Sequence, residues 1–205
     1  MGTQRSVGIL VFPEVEVLDF CGPFEVFASA GREGDRLFSV SIVGETTEIV
    51  SCRGGLLIKP HVSFADSPRF DLIVVPGGFG TRTEIDNPRL IGWIQQQNET
   101  TEITTSVCTG ALLLAKAGLV DDFPITTHWA AFDELRGHFP DLQLDGSRRV
   151  IDNGHIVTSA GVSAGIDMAL AMVERLFGDT VADDTARGME YDWRETQSPG
   201  QPDIR

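Results

Sequence analysis

The sequence predicts an α/β fold, a three-layer sandwich with a mostly parallel central sheet. Short and continuously apolar runs, such as residues 7–12 and 71–75, are typical of parallel strands that are covered on both faces. These runs alternate along the chain with segments of helical periodicity, as in α/β proteins. Residues 103–118 (ITTSVCTGALLLAKAG) predict a strand that turns abruptly at Cys108 into a helix, which is the layout of a nucleophile elbow with Cys in place of Ser.

Each further element follows from a local pattern. Apolar or β-branched runs predict strands at residues 7–12, 38–43, 71–75 and 103–107. Turn residues predict two hairpins, one from 49–52 to 56–59 and one from 150–151 to 155–158, the second through an Asn-Gly turn. Helices are predicted at 17–30, 87–98, 110–117, 129–137, 163–177 and 179–192, with Gly22-Pro23 marking a turn or a helix start and with Asn87 and Ser163 as caps.

The length and composition favour one domain. A chain of 205 residues that is 41% hydrophobic can bury a full core, so we expect a single domain over residues 1–205 with an extended tail from about 195. Ligand sites in such sheets lie at the carboxyl ends of strands. The segments 13–19, 76–80 and 106–110 are therefore expected to meet there.

Charge and motifs restrict the classes of function. Lys and Arg number 16 against 30 Asp and Glu, a formal net charge of −14, which argues against nucleic-acid or membrane-surface partners. The sequence contains no run of about 20 apolar residues, so no membrane span is expected. Three cysteines and four scattered histidines without metal-ligand spacing predict reduced thiols in a cytoplasmic protein with no metal site. Neither GxGxxG nor GxxxxGK[ST] is present, so a nucleotide cofactor has no support.

Cys108 is the candidate nucleophile. A thiol at the first turn of a helix lies near the positive end of the helix dipole, and the free backbone N–H groups there favour the thiolate. Cys21 and Cys52 do not begin a helix, and free cysteines often fill the core, so we expect those two to be structural.

Asp19 is the candidate acid/base. It lies in the mainly apolar segment VLDFCGP, where a lone carboxylate is costly without a partner. A carboxyl and a thiol held close together avoid being anions at the same time, so the pair would share one proton. The alternative is that Asp19 caps the following helix. Glu14 and Glu16 are rivals for the acid/base role, although their segment is expected to be exposed.

The glycines after the strand at 71–75 and the segment around His128 supply further candidates. Gly77 and Gly78 would let the backbone approach a bound atom, and the N–H groups of Gly78 and Thr109 together would form a hole for developing negative charge. The alternative is a plain turn. His128 and Trp129 are candidates for lining the pocket, and a structural or lining role for His128 is favoured over a catalytic base, because nothing in the spacing places His128 beside Cys108.

Five segments carry a resemblance to a known family. They are FPEVEVLDFCGPFEVF, VVPGGFG, SVCTGALLLAKAGL, TTHWAAFDEL and GVSAGIDMALAMVERLFG, and together they resemble the ThiJ/PfpI superfamily, which has the class I glutamine-amidotransferase-like fold. Within it the chain is most similar to isocyanide hydratases and to the amidotransferase-like domains of AraC-type regulators. The resemblance implies a flavodoxin-like sandwich of six or seven strands, usually a homodimer, without a metal or organic cofactor.

The resemblance also implies residue roles and an activity. It assigns the nucleophile to Cys108 and the acid to Asp19, and it places the Gly78 and Thr109 amides near the thiol. Isocyanide hydratases add water to a small electrophile, the isocyanide, and release an N-substituted formamide.

Two departures and two alternatives accompany that reading. Cys21 stands where the hydratase motif more often has Thr, and Thr109 follows Cys108 where the protease-like branch has His. A non-enzymatic domain that senses a small molecule, as in the AraC-type regulators, is one alternative. Glyoxalase-like or deglycase-like aldehyde chemistry is the other. The chain ends at Arg205 without a helix-turn-helix segment, so we do not expect it to bind DNA itself.

Overall fold

The computed structural model describes residues 4–32 and 35–193. Within them the strands are β1 (Arg5–Leu10), β2 (Gly31–Arg32), β3 (Asp35–Arg36), β4 (Phe38–Gly44), β5 (Val50–Ser51), β6 (Leu57–Ile58), β7 (Val62–Ser63), β8 (Leu72–Val75), β9 (Ile103–Val107), β10 (Val150–Asp152) and β11 (Ile156–Ser159). The α-helices are α1 (Val17–Ser29), α2 (Thr81–Glu84), α3 (Pro88–Asn98), α4 (Gly110–Lys116), α5 (Phe132–His138), α6 (Ala164–Phe177) and α7 (Asp179–Gly188), and short 3-10 turns lie at Arg53–Gly55 and Trp129–Ala131.

A seven-stranded sheet forms the centre, in the order β10-β11-β9-β8-β1-β4-β7. Every neighbouring pair in it is parallel except β10 and β11, which run antiparallel. The predicted mostly parallel, flavodoxin-like architecture is therefore confirmed. Since β9, β8 and β1 are neighbours, their carboxyl ends bring three loops to one edge of the sheet.

Helices cover the sheet in two groups. Helices α1, α6 and α7 pack on one another, with α1 against β1 and β4 and α6 against β9 and β11. Helices α2 and α3 pack on α4, which lies against β8 and β9. Glycines permit close helix packing, because a Cβ added at Gly22 of α1 would lie 2.9 Å from Ile166 Cγ1 of α6. No helix among the described residues is long and apolar enough to cross a membrane.

Most predicted elements are present, and several boundaries differ. The Gly22-Pro23 pair does not begin a helix or make a turn; both residues lie inside α1, which begins at Val17. Proline inside a helix removes one backbone hydrogen bond and crowds the preceding turn, and α1 contains Pro23 despite that cost. The short helix α2 is not anticipated by the sequence, and α7 ends at Gly188 rather than at residue 192. The predicted tail at 195–205 lies outside the described residues.

Candidate active site

Cys108 lies at the elbow between β9 and α4. Its φ is +56°, a left-handed backbone conformation that residues other than glycine rarely adopt. Cys108 is only 6% exposed. The Cys108 N–H donates to Ser159 O and Ala160 O, each at 3.1 Å, and its carbonyl accepts from Thr127 Oγ1 at 2.8 Å. These bonds to two other segments stabilise the strained turn, which lies where the sequence predicted the elbow.

Strained backbone follows three strands of the central sheet, and one of the strained residues is Cys108 itself. Glu14, Cys108 and Val162 all have positive φ, at 61°, 56° and 53°. Each of them follows one of the sheet strands β1, β9 and β11, and the Val162 N–H lowers the pKa of the Cys108 thiol. A β-branched residue with positive φ is an outlier of the kind that clusters at functional sites. Sequence reasoning missed Val162, because nothing in Gly-Val-Ser reveals where its N–H is directed.

Asp19 lies in α1, is fully buried, and affects the ionisation of the Cys108 thiol. Its Oδ2 accepts a hydrogen bond from Gly77 N–H at 2.9 Å, and its carboxyl lies close enough to the Cys108 thiol for each group to shift the pKa of the other. Asp19 does not cap the helix, because α1 begins two residues earlier with Glu16 at the N-cap position. The structure therefore brings together the two residues that the sequence proposed as a pair.

The two groups share a proton. Burial, first, and then the negative charge of Glu16 raise the pKa of Asp19 to about 7, while the Gly77 N–H, Cys108 and Arg53 act in the opposite direction. Burial, first, and then the charge of Asp19 raise the pKa of Cys108 to about 12, against the lowering effect of the Thr109 and Val162 N–H groups. At a pH between these two pKa values, Asp19 and Cys108 together hold one proton and one negative charge.

This differs from the predicted resting thiolate. The helix N-terminus was expected to ionise the sulfur, but burial of the thiol and the adjacent carboxylate outweigh the two backbone N–H groups. The two pKa shifts favour the state in which the proton is on sulfur and Asp19 carries the charge at neutral pH. The thiolate is reached by moving that proton to Asp19.

The glycine loop after β8 holds Asp19 and Thr109 rather than presenting free amides. Gly77 N–H is engaged by Asp19, and Gly78 N–H donates to Thr109 Oγ1 at 3.0 Å. A Cβ at Gly77 would lie 2.5 Å from Thr109 N, and one at Gly78 would lie 2.4 Å from Glu14 O. The N–H groups that face the sulfur are those of Thr109 and Val162, so the Gly78 N–H predicted for the anion hole is already used elsewhere.

His128 and Trp129 lie at the edge of this site. The His128 ring packs against Gly161, where an added Cβ would lie 2.1 Å from His128 Cδ2, and its Nδ1 accepts from Ala130 N–H at 3.2 Å. Burial and then the charges of Arg82 and Arg53 lower the pKa of His128, so the ring is neutral at pH 7. Trp129 is 78% exposed beside it. This position fits the lining role that was favoured for His128 over a base.

The remaining candidates are held by contacts of their own. Glu16 forms an ion pair with Arg53 at 2.7 Å, and Glu14 occupies a strained turn whose N–H donates to Ser51 O. Cys52 is fully buried and Cys21 half-buried, as expected of structural thiols. Among the described residues, no three His, Cys, Asp or Glu side chains are grouped to hold a metal ion.

Comparison with known proteins gives a consistent family. The DJ-1/PfpI family model matches residues 5–175. The chain is 35% identical over 199 residues to isonitrile hydratase of Pseudomonas putida, covering 97% of this chain and 83% of that protein. It is 28% identical to the HTH-type transcriptional regulator GbdR of Pseudomonas aeruginosa, spanning 85% of this chain but 47% of the regulator. A THiJ/PfpI family crystal structure from Pseudomonas syringae superposes with a TM-score of 0.84 at 29% identity, covering 98% of this chain and 78% of that one.

Proposed function

The chain belongs to the DJ-1/PfpI family, and we propose that it is a cysteine-dependent hydratase that adds water to isocyanides to give N-substituted formamides. The observation that supports this most directly is the buried Asp19 carboxyl beside the elbow thiol of Cys108, close enough for each group to shift the pKa of the other. The 35% identity to an isonitrile hydratase over nearly the whole chain supports the same reaction class.

The first half-reaction joins sulfur to the substrate. Asp19 takes the thiol proton, the Cys108 sulfur bonds to the terminal isocyanide carbon, and Asp19 returns the proton to that same carbon. The product is a thioimidate, R–N=CH–S–Cys108, with no net change in charge. A neighbouring acid that ionises near neutral pH suits both directions of this transfer.

The second half-reaction releases the product. Water adds to the thioimidate carbon, one water proton reaches the nitrogen, and the C–S bond breaks as the remaining proton returns to sulfur. The sum is one isocyanide plus one water to one formamide, with Cys108 and Asp19 regenerated. The Thr109 and Val162 N–H groups are placed to stabilise negative charge on sulfur when it attacks and when it leaves.

A matched pair of cysteine variants tests this function. The purified protein is mixed with an aryl isocyanide and formamide formation is followed by absorbance. Wild type and Cys52→Ala, which lacks a thiol outside the proposed site, are expected to turn over, whereas Cys108→Ala is expected to be inactive. Absence of turnover in the wild type, or equal turnover in Cys108→Ala, rules the proposal out.

A second candidate is a non-enzymatic domain that senses a small molecule. The burial of Cys108 and the raised pKa of its thiol favour it, because such a thiol is not a ready nucleophile. The similarity to the regulator GbdR also favours a sensing domain. This candidate predicts saturable binding of an isocyanide by calorimetry with no formamide produced.

The proposal includes a cytoplasmic homodimer. Three large apolar side chains around the β5–β6 hairpin are exposed, at 64% for Ile49, 46% for Leu56 and 64% for Leu57, and a second copy would cover such a patch. The three described cysteines are free thiols, as in a reducing compartment. Size-exclusion chromatography with light scattering measures the molar mass of the protein in solution. A monomer mass at micromolar concentration excludes the dimer.

A further inference from the structure

Arg82 of α2 makes an unusual set of contacts for a partly exposed arginine. Its Nη1 donates to Gly78 O at 3.0 Å and to Thr81 Oγ1 at 3.2 Å, and it approaches Thr109 Oγ1 at 3.5 Å. The three acceptors belong to the glycine loop after β8, to the first residue of α2 and to the residue that follows the nucleophile. A single guanidinium edge therefore contacts the framework that surrounds the thiol.

Glu134 fixes the direction of that edge. Arg82 Nε donates to Glu134 Oε1 at 2.8 Å, and Arg82 Nη2 contacts Glu134 Oε2, which makes a two-point pair between α2 and α5. Such a bidentate pair holds the planar guanidinium in one orientation. Because Nε and Nη2 are used by Glu134, Nη1 is left for Gly78 and Thr109.

Thr109 connects this pair to the sulfur. Its hydroxyl accepts from Gly78 N–H and lies within reach of Arg82, whereas its backbone N–H faces Cys108. Thr81 Oγ1 adds a hydrogen bond to Gly78 O at 2.9 Å on the same side. Contacts at the hydroxyl therefore set how the Thr109 N–H is presented to the thiol.

We propose that Arg82, oriented by Glu134, is a positioning residue that acts through Gly78 and Thr109 to hold the Thr109 N–H against the Cys108 sulfur. It does not touch the reacting atoms. The inference rests on the proposed function only where turnover is measured, because the reactivity of the Cys108 thiol reports on it independently. An ordinary partly exposed ion pair contributes little to stability and would leave both readouts unchanged.

Arg175 of α6 provides a matched control. It is exposed to a similar extent, 34% against 39% for the Arg82 side chain, it pairs with Asp152 at 3.1 Å, and it donates to the carbonyl of Gly154 at 2.6 Å. The pairing pattern is the same, an acid plus a glycine carbonyl. Gly154 lies in the turn before β11, at the opposite ends of the strands from the thiol.

The experiment compares Arg82→Met, Glu134→Gln and Arg175→Met with the wild type. Two quantities are measured: kcat and KM for an aryl isocyanide, and the rate of iodoacetamide alkylation at Cys108, read by peptide mass spectrometry at about pH 8. We expect Arg82→Met to lower kcat and the alkylation rate about tenfold with KM within about twofold, because a positioned donor acts on the transition state. Glu134→Gln is expected to lower both less, and Arg175→Met neither.

The outcomes are distinct. If Arg82→Met matches Arg175→Met in both kcat and alkylation, Arg82 is an ordinary ion-pair residue and the inference is wrong. If Arg82→Met does not fold, Glu134→Gln decides by the same comparison. If the wild type has no isocyanide turnover but Arg82→Met still slows alkylation at Cys108, the inference stands while the proposed function fails.

Discussion

The N–H of Gly77 donates a 2.9 Å hydrogen bond to Asp19 Oδ2, so the glycine loop after β8 holds the acid of the site in place. This bond opposes the effect of burial on Asp19, whose pKa would otherwise rise further. The acid is thereby kept titratable near neutral pH while it remains in contact with the thiol. Burial and the Gly77 N–H together set the pKa of Asp19, the group that moves the proton.

Gly77→Ala tests this contact. A Cβ there would lie 2.5 Å from Thr109 N, 2.6 Å from Thr109 Oγ1 and 3.0 Å from Asp19 Oδ2, so the loop must shift. We expect a loss of about 1–3 kcal/mol in the free energy of unfolding and a clear loss of kcat. Gly92→Ala in α3 is the control, since nothing lies within 4 Å of its added Cβ, and it should be stable or slightly stabilised. Equal stability of the two variants in urea denaturation would contradict the clash.

The fold follows closely from the sequence, whereas the site follows only in part. The buried strands, the elbow at Cys108 and the cap at Asn87 come from local pattern, and the structure contains all three. The Asp19–Cys108 contact joins residues 89 positions apart, and it was inferred from chemistry and resemblance rather than from spacing. Val162 and Arg82 were missed because the direction of an N–H or a guanidinium depends on tertiary packing. The resting thiolate was wrongly expected because local position does not report burial.

Thr109→Val tests the hydroxyl that supports the loop. Valine keeps the shape but leaves the buried Gly78 N–H without its acceptor, which costs about 1–3 kcal/mol. Thr109→Ser keeps the hydroxyl and is the matched control. Chemical denaturation should place Thr109→Val below Thr109→Ser by that amount. If the two are equally stable, the Gly78–Thr109 bond does not support the loop.

The hydration rate should depend on pH through Asp19. Below its pKa of about 7 the carboxyl is protonated and cannot take the thiol proton, so kcat/KM should rise with pH and level off above about 7. A pH–rate profile with an aryl isocyanide between about pH 5 and 9 measures it. A flat profile, or a decline above pH 7, would exclude Asp19 as the proton acceptor.

Protein stability should show the same titration with the opposite trend. The folded chain keeps the Asp19 proton up to about pH 7, whereas the unfolded chain releases it near 3.8, so folding is favoured most below 3.8 and that contribution is lost as pH rises to about 7. The loss is of the order of 4 kcal/mol. Asp19→Asn should remove it, so the variant should gain stability relative to the wild type as the pH is raised from about 4 to 7. Parallel pH–stability curves for the two proteins would contradict the buried, raised-pKa carboxyl.

The most direct test of the shared proton is the pH dependence of iodoacetamide alkylation at Cys108 in the wild type and in Asp19→Asn. When Asp19 loses its proton near pH 7, the new charge opposes ionisation of the thiol, so the wild-type rate should level off above about pH 7. In Asp19→Asn the thiol titrates alone, and its rate should continue to rise about tenfold per pH unit over the same range. Identical profiles, both rising steadily through neutral pH, would contradict the coupled pair of Asp19 and Cys108.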